Sequence, residues 1–365
     1  MDYLGITIGT GVFFSSGITA AIIPPPVASG AISLGTNVSP YVGAYAWSDS
    51  TGFGSKYSNP GSALTGTVND TVWNSTGSAL LVATAGSPYV GAYAWSNSTG
   101  YGTKFSAPGT APGGRTTGVA ISPQDNAVAF SMDVTSPYIY ACQWNNSTGF
   151  GTKYSDPGTA PSAASFDVSF SPAGDAIAVV FGASPYIYAY QWTYASGFGT
   201  KYSDPSTLPA NNPTGIAWNP TGTTIMLAHN TSQYITAYPW SYGSGFGTKY
   251  SNPGTLPTSQ ALYPAWHPGG AAVAVSTAST PYVSAYAWSN ATGFGSKFSD
   301  PSTLPAGTSY QVRFSNNGNA VAVAHATTPY VTAYAWSEST GFGTKYSDPG
   351  TAFSGTASCV RFSPA

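Results

Sequence analysis

Tryptophan recurs at Trp47, Trp95, Trp144, Trp192, Trp240, Trp288 and Trp336, with spacings of 48, 49, 48, 48, 48 and 48 residues. No helix or strand has such a period, so it marks a supersecondary unit copied seven times. Each copy holds a PYVxAYxW run, a TGFGTKYSDPG run and an FSPxGxAVAV run, of which FSPAGDAIAVV from Phe170 is the cleanest. These runs have strand length, alternation and Gly/Pro punctuation, and none sustains a helical period. In VSFSPAGDAIAVV, Pro172 sets φ at the second position of a type I turn and Gly174 closes the fourth. The strands AIAVV and YIYAYQW follow, then FGTKYS, which Asp-Pro-Gly stops. Four antiparallel strands in about 48 residues, seven times over, predict an all-β fold: a seven-bladed β-propeller.

The two ends of the chain complete each other. SCVRFSPA at the C-terminus supplies one innermost strand, and GAISLGTNVSPYV begins a repeat that lacks one. A 1+3 clasp is expected, with Cys359 to Phe362 beside Ala31 to Tyr57, so residues 31–365 form the propeller and 1–30 an arm. Cys142 then lies two blades from Cys359, and no disulfide is expected.

Period-two alternation places Tyr186, Tyr188, Tyr190 and Trp192 on one face of the third strand, and Ile187, Ala189 and Gln191 on the other. A bulky face backed by a small one suits stacked blades, so the seven repeat tryptophans are read as inter-blade core. Lys56, Lys104, Lys153, Lys201, Lys249, Lys297 and Lys345 share one position on the outermost strand, where a lysine opposes edge-to-edge pairing. Asp156, Asp204, Asp300 and Asp348 stand three residues beyond four of them.

Charged residues make up only 6% of the chain, against roughly 25% in ordinary soluble domains. With a net charge of −2 and scattered basic residues, nucleic acid is not an expected partner. His229, His267 and His325 fall in different repeats without ligand spacing, and no carboxylate pair stands out as an acid/base couple. The GFG and GYG triplets lack the lysine and helix of a phosphate loop. No catalytic residue, metal site or cofactor is expected on these grounds. One ionic contact is: Asp70 and Arg361 occupy inner strands of adjacent blades and are expected to pair at the clasp.

The FSPxG…AVA…W layout resembles the WD-repeat propeller, although no Gly-His precedes the blades and Ser, Asn or Thr follows each repeat Trp. The SPYxxAYxWS…TGFGTKYSDPxTLP sentence resembles repeat proteins of tailed bacteriophages and environmental phage genomes, over Ala31 to Ala365. That resemblance implies a non-enzymatic virion or accessory component, located on a virion or outside the cell. A lectin-like, glycan-binding propeller is the alternative.

The arm has Asp2 as its only charge. It lacks the basic start of a secretory signal, and its Gly, Ser and Thr content makes a poor membrane helix, so membrane insertion is not expected. Pro24 to Pro26 form a stiff spacer. Tyr3, Leu4, Ile6, Ile8, Val12, Phe13, Phe14, Ile18, Ile22 and Ile23 are its apolar side chains, read as docking it to another copy or to other virion subunits by strand addition.

Overall fold

A computed structural model describes residues 30–364 as seven four-stranded antiparallel sheets. The arm residues from Tyr3 to Ile23, and with them the docking expectation, lie outside the described residues. Ala357–Phe362 pairs with Gly30–Thr36, which continues into Val42–Ser48 and Gly52–Lys56 to complete the first blade. The innermost strands of the second to seventh blades are Val68–Trp73, Thr116–Ile121, Ser165–Phe170, Pro213–Trp218, Ala261–Trp266 and Ser309–Phe314. Each innermost strand meets those of both neighbouring blades, so the ring is closed around a central channel.

The fourth blade shows why these residues make these strands. Ser165–Phe170 turns at Pro172 into Ala176–Phe181, with Gly174 N–H donating to Ser171 O at 2.9 Å and Gly174 at φ +72°. Ile187–Thr193 and Gly197–Lys201 follow. Tyr190 and Trp192 pack with Ile177 and Val179 of their own blade against Ala127, Ala129 and Ala141 of the third, while Ile187 and Ala189 face the fifth. Tyr186 departs from the expected stripe. It precedes the strand, in a turn with φ +74°.

Trp192 makes edge-to-face contacts with Tyr154, Phe170 and Phe198 at centroid distances of 5.0, 5.1 and 5.1 Å. Trp47, Trp95, Trp144, Trp240, Trp288 and Trp336 are likewise buried in inter-blade clusters. The indole N–H groups of Trp47, Trp95, Trp144 and Trp288 donate to Oδ1 of Asp49, Asn97, Asn146 and Asn290 at 2.6, 2.8, 2.7 and 2.8 Å, whereas the buried Trp336 N–H has no partner among the described residues. The buried tyrosine one turn of the pleat earlier reaches outward, with Tyr190 Oη donating to Thr159 O at 2.7 Å in the connection between blades. In the third blade both ends of the aromatic stripe are anchored in this way, through Tyr140 Oη to Thr110 O and Trp144 Nε1 to Asn146 Oδ1, each at 2.7 Å.

Six of the lysines end the outermost strands; Lys249 falls beyond a shortened one, Gly245–Phe246. Lys153 and Lys201 meet Asp156 and Asp204 at 2.5 Å, and Lys297 and Lys345 meet Asp300 and Asp348. Lys201 also lies 4.2 Å above the Tyr188 ring. The two cysteines are buried and free.

His229 and His325 end the second strands of their blades, where Thr36 and Thr277 stand in others. Thr277 Oγ1 donates to the carbonyl two residues on at 3.1 Å, and His229 Nδ1 meets the equivalent Thr231 O at 3.0 Å. Burial lowers both histidine pKa values from 6.5 to about 4. The folded chain thus keeps them neutral while the unfolded chain takes up protons, so their stabilisation is complete above pH 6.5 and is lost as pH falls toward 4.

Trp192→Ala should lower the unfolding free energy by about 3–5 kcal/mol, as large core truncations do, read as a lower urea midpoint. The double substitution His229→Thr, His325→Thr should flatten the acid-side fall in Tm between pH 6.5 and about 4; an unchanged slope would locate acid lability elsewhere.

Candidate active site

An innermost strand has one edge paired within its blade and one edge facing the channel, where its N–H and C=O groups have no ladder partner. In all seven blades the pairing register slips at the second residue of this strand. A bulge re-aims a side chain. Here Asn69, Thr117, Phe166, Thr214, Leu262, Tyr310 and Ser358 are all turned to one mouth of the channel, around a cavity of about 230 Å³. Four of them also stitch blades together through the first carbonyl of the next inner strand. Asn69 Nδ2 donates to Thr116 O at 2.6 Å, Thr117 Oγ1 to Ser165 O at 2.8 Å and Thr214 Oγ1 to Ala261 O at 2.8 Å, and Ser358 Oγ donates to Val68 O.

The third residue of each strand sits just below. Asp70 Oδ2 accepts from Val119 N at 3.2 Å, Asp167 Oδ2 from Ile216 N at 2.9 Å, and Gln311 Oε1 from Val360 N at 2.9 Å, each reaching the fourth residue of the following blade. Asp167 Oδ1 also accepts from its neighbour Val168 N at 2.9 Å. Where the third residue is Gly215 and offers no acceptor, the next blade has Pro264 at the fourth position and needs none. Gly118 has another role. A Cβ there would lie 2.7 Å from Asp167 Oδ1, so glycine leaves room for that carboxylate.

The result is a buried polar floor of Asp70, Asp167 and Gln311, joined by Tyr263, in a chain that buries very few charges. Gln311 Nε2 donates to Asp70 Oδ1 at 2.9 Å. Arg361 Nη2 stands 3.9 Å from Asp70 Oδ2, near enough for attraction but beyond hydrogen-bonding distance, and Arg361 Nε donates instead to Thr71 O at 2.8 Å. Burial, with the charge of Asp70 second, raises Asp167 from 3.8 to about 7, against the Ile216 N–H, the Tyr263 hydroxyl and Arg313, which favour the carboxylate. A carboxyl group held near neutrality can exchange a proton at physiological pH.

Sequence spacing did not pair Asp70 with Asp167, which lie two blades apart in the ring. The signal available was their shared third position, visible only when inner strands are aligned and departures from the repeat are read. The histidines are remote from this floor: His229 and His325 hydrogen-bond Thr236 and Thr332, and His267 meets Glu338 at 2.7 Å.

A seven-bladed β-propeller with a polar channel is thus the class of this protein. No family model matches the chain, and no curated protein matches it. Among solved structures it is similar to a candidate 6-phosphogluconolactonase of Bacteroides uniformis, at 15% identity and TM-score 0.73, covering 92% of this chain and 99% of that one. A candidate 6-phosphogluconolactonase of Bacteroides fragilis has 13% identity and TM-score 0.73, with 93% and 99% covered. The periplasmic gluconolactonase of Pseudomonas aeruginosa has 14% identity and TM-score 0.66, with 92% and 99% covered. At these identities the likeness establishes the fold.

The likeness also corrects the functional expectation. A non-enzymatic virion component was expected from the repeat sentence, with a lectin as alternative, yet propellers similar over nearly the whole chain carry lactonase names. The exclusion of catalysis falls with it. It rested on finding no acid/base pair by spacing, a test to which carboxylates brought together by ring closure are invisible.

Because Asp167 holds its proton up to about pH 7 in the folded chain but only to 3.8 when unfolded, its contribution to stability is full below 3.8 and is lost as pH rises through 7. Asp167→Asn should therefore gain Tm relative to the parent as pH climbs across that window. A constant difference would mean that Asp167 is ionised throughout.

Proposed function

We propose that this chain is a hydrolase that opens sugar lactones in the bulge-lined mouth of the channel. The observation that carries this reading is the Asp70–Asp167 floor, with one carboxyl held near neutrality, beneath a cavity lined by hydroxyl and amide side chains. The lactonase names of similar propellers supply the substrate class.

The chemistry then runs through residues on that floor. The Asp167 carboxylate takes a proton from water as the water oxygen bonds to the lactone carbonyl carbon, and negative charge develops on the carbonyl oxygen. The Tyr310 hydroxyl at the mouth is placed to stabilise that charge, while the Tyr263 hydroxyl is already engaged with Asp167. On collapse the ring C–O bond breaks, and the proton held by Asp167 passes to the leaving alkoxide. The products are a hydroxyl group and a carboxylic acid. Asp70, fixed by Gln311 and Val119, keeps Asp167 basic enough to accept the proton.

Purified protein should hydrolyse glucono-1,5-lactone or its 6-phosphate above the spontaneous rate in a pH-stat. Its kcat/KM should rise through about pH 7. Asp167→Asn should lower kcat by about 10²–10⁴ with a smaller change in KM, the range for a general base. A folded protein that gives no acceleration on either lactone would sink the proposal.

A further inference from the structure

The opposite mouth of the channel is built from different chemistry. Its cavity of about 400 Å³ has walls of Phe170, Trp218 and Trp266, with prolines of the inner turns around the rim. Its charge comes from the fifth residues of two inner strands, Arg313 and Arg361. The other five strands carry Val72, Ala120, Ser169, Ala217 and Ala265 there, so the two guanidinium groups stand alone and in adjacent blades.

Arg313 is only 8% exposed, yet no carboxylate pairs with it among the described residues. Its Nη1 donates to Val312 O at 3.1 Å and, more weakly, to Pro264 O at 3.5 Å, and its buried Nε has no hydrogen-bond partner among the described residues. The Tyr263 ring, 3.9 Å from Cζ, is its main compensation. Arg361 has Asp70 at 3.9 Å and a hydrogen bond to a carbonyl. Asp70 and Asp167 attract Arg313 only at a distance; a buried cation without a directly paired carboxylate is costly, and a second cation beside it adds repulsion. Such an arrangement is relieved by an anion between them, and guanidinium forks suit the paired oxygens of carboxylate or phosphate.

We infer that this second mouth is a binding site for a small anion carrying a carboxylate or phosphate group, held between Arg313 and Arg361, with the aromatic walls covering its apolar remainder. The site lies across Tyr263 from the Asp70–Asp167 floor and does not depend on the hydrolytic reading.

The full chain should be titrated separately with inorganic phosphate and with acetate, followed by calorimetry and by fluorescence, since Trp218 and Trp266 line the cavity. A saturable response is expected for at least one probe, and the tighter one identifies the preferred group. Arg361→Gln should abolish it, and Arg313→Lys, which keeps the charge but loses the fork, should weaken it at least tenfold. Lys297→Gln on the outer edge should leave it unchanged.

Ala265→Glu places a carboxylate beside Arg313 from the preceding blade's equivalent position. It should raise Tm and block the anion, which tests the site even where an arginine variant fails to fold. Absence of saturation by both probes in the parent chain would overturn the inference, as would binding that survives both Arg361→Gln and Ala265→Glu.

Discussion

Everything in this molecule depends on a bulky sheet face meeting a small one. Tyr190 and Trp192 fill against Ala127, Ala129 and Ala141 of the preceding blade, and the same exchange recurs around the ring. Close packing rewards that complementarity and penalises a gap on either side. The arrangement works only if every blade offers both faces, and for that reason the sentence is repeated with so little variation. It also explains a low charge content: most of each strand is interface, and the polar work falls to hydroxyl, amide and backbone groups.

The ring leaves one problem unsolved at its centre. Seven inner edges converge there with unpaired backbone groups, and no further strand can be added to cover them. The chain answers with side chains that cross to the next blade, hydroxyl and amide groups on the bulges and acceptors at the third position. These positions tolerate different solutions. Pro264 avoids the need for an acceptor, Gly118 yields space, and Asp70, Asp167 and Gln311 supply one. Chemistry enters at that tolerance, because an acceptor required by the backbone can equally be a carboxylate with a shifted pKa.

The same reasoning accounts for the misdirection in the repeat. Resemblance to phage repeat proteins was carried by the third and fourth strands, the most uniform part of each blade and the part that packs. The residues on which the proposed sites rest, Asp70, Asp167, Tyr263, Arg313 and Arg361, are departures from the repeat on the innermost strands. The expected Asp70–Arg361 contact forms as a loose ion pair at 3.9 Å, while Asp70 takes its hydrogen bonds from Gln311 and Val119.

By itself the sequence determined the number of blades, the strand order, the closing of the first blade by the C-terminal strand and the aromatic face that packs between blades. All of these follow from local periodicity and from the need to bury a repeated surface. Only the tertiary structure decided what the channel contains. The bulge that turns Asn69, Thr117 and Tyr310 into one mouth is a slip in register between paired strands, which no single strand encodes. The meeting of Asp70 with Asp167, and of Arg313 with Arg361, arises because ring closure brings together residues that the repeat holds far apart in the chain. Their pKa values and unmet valences are set by that shared, desolvated space.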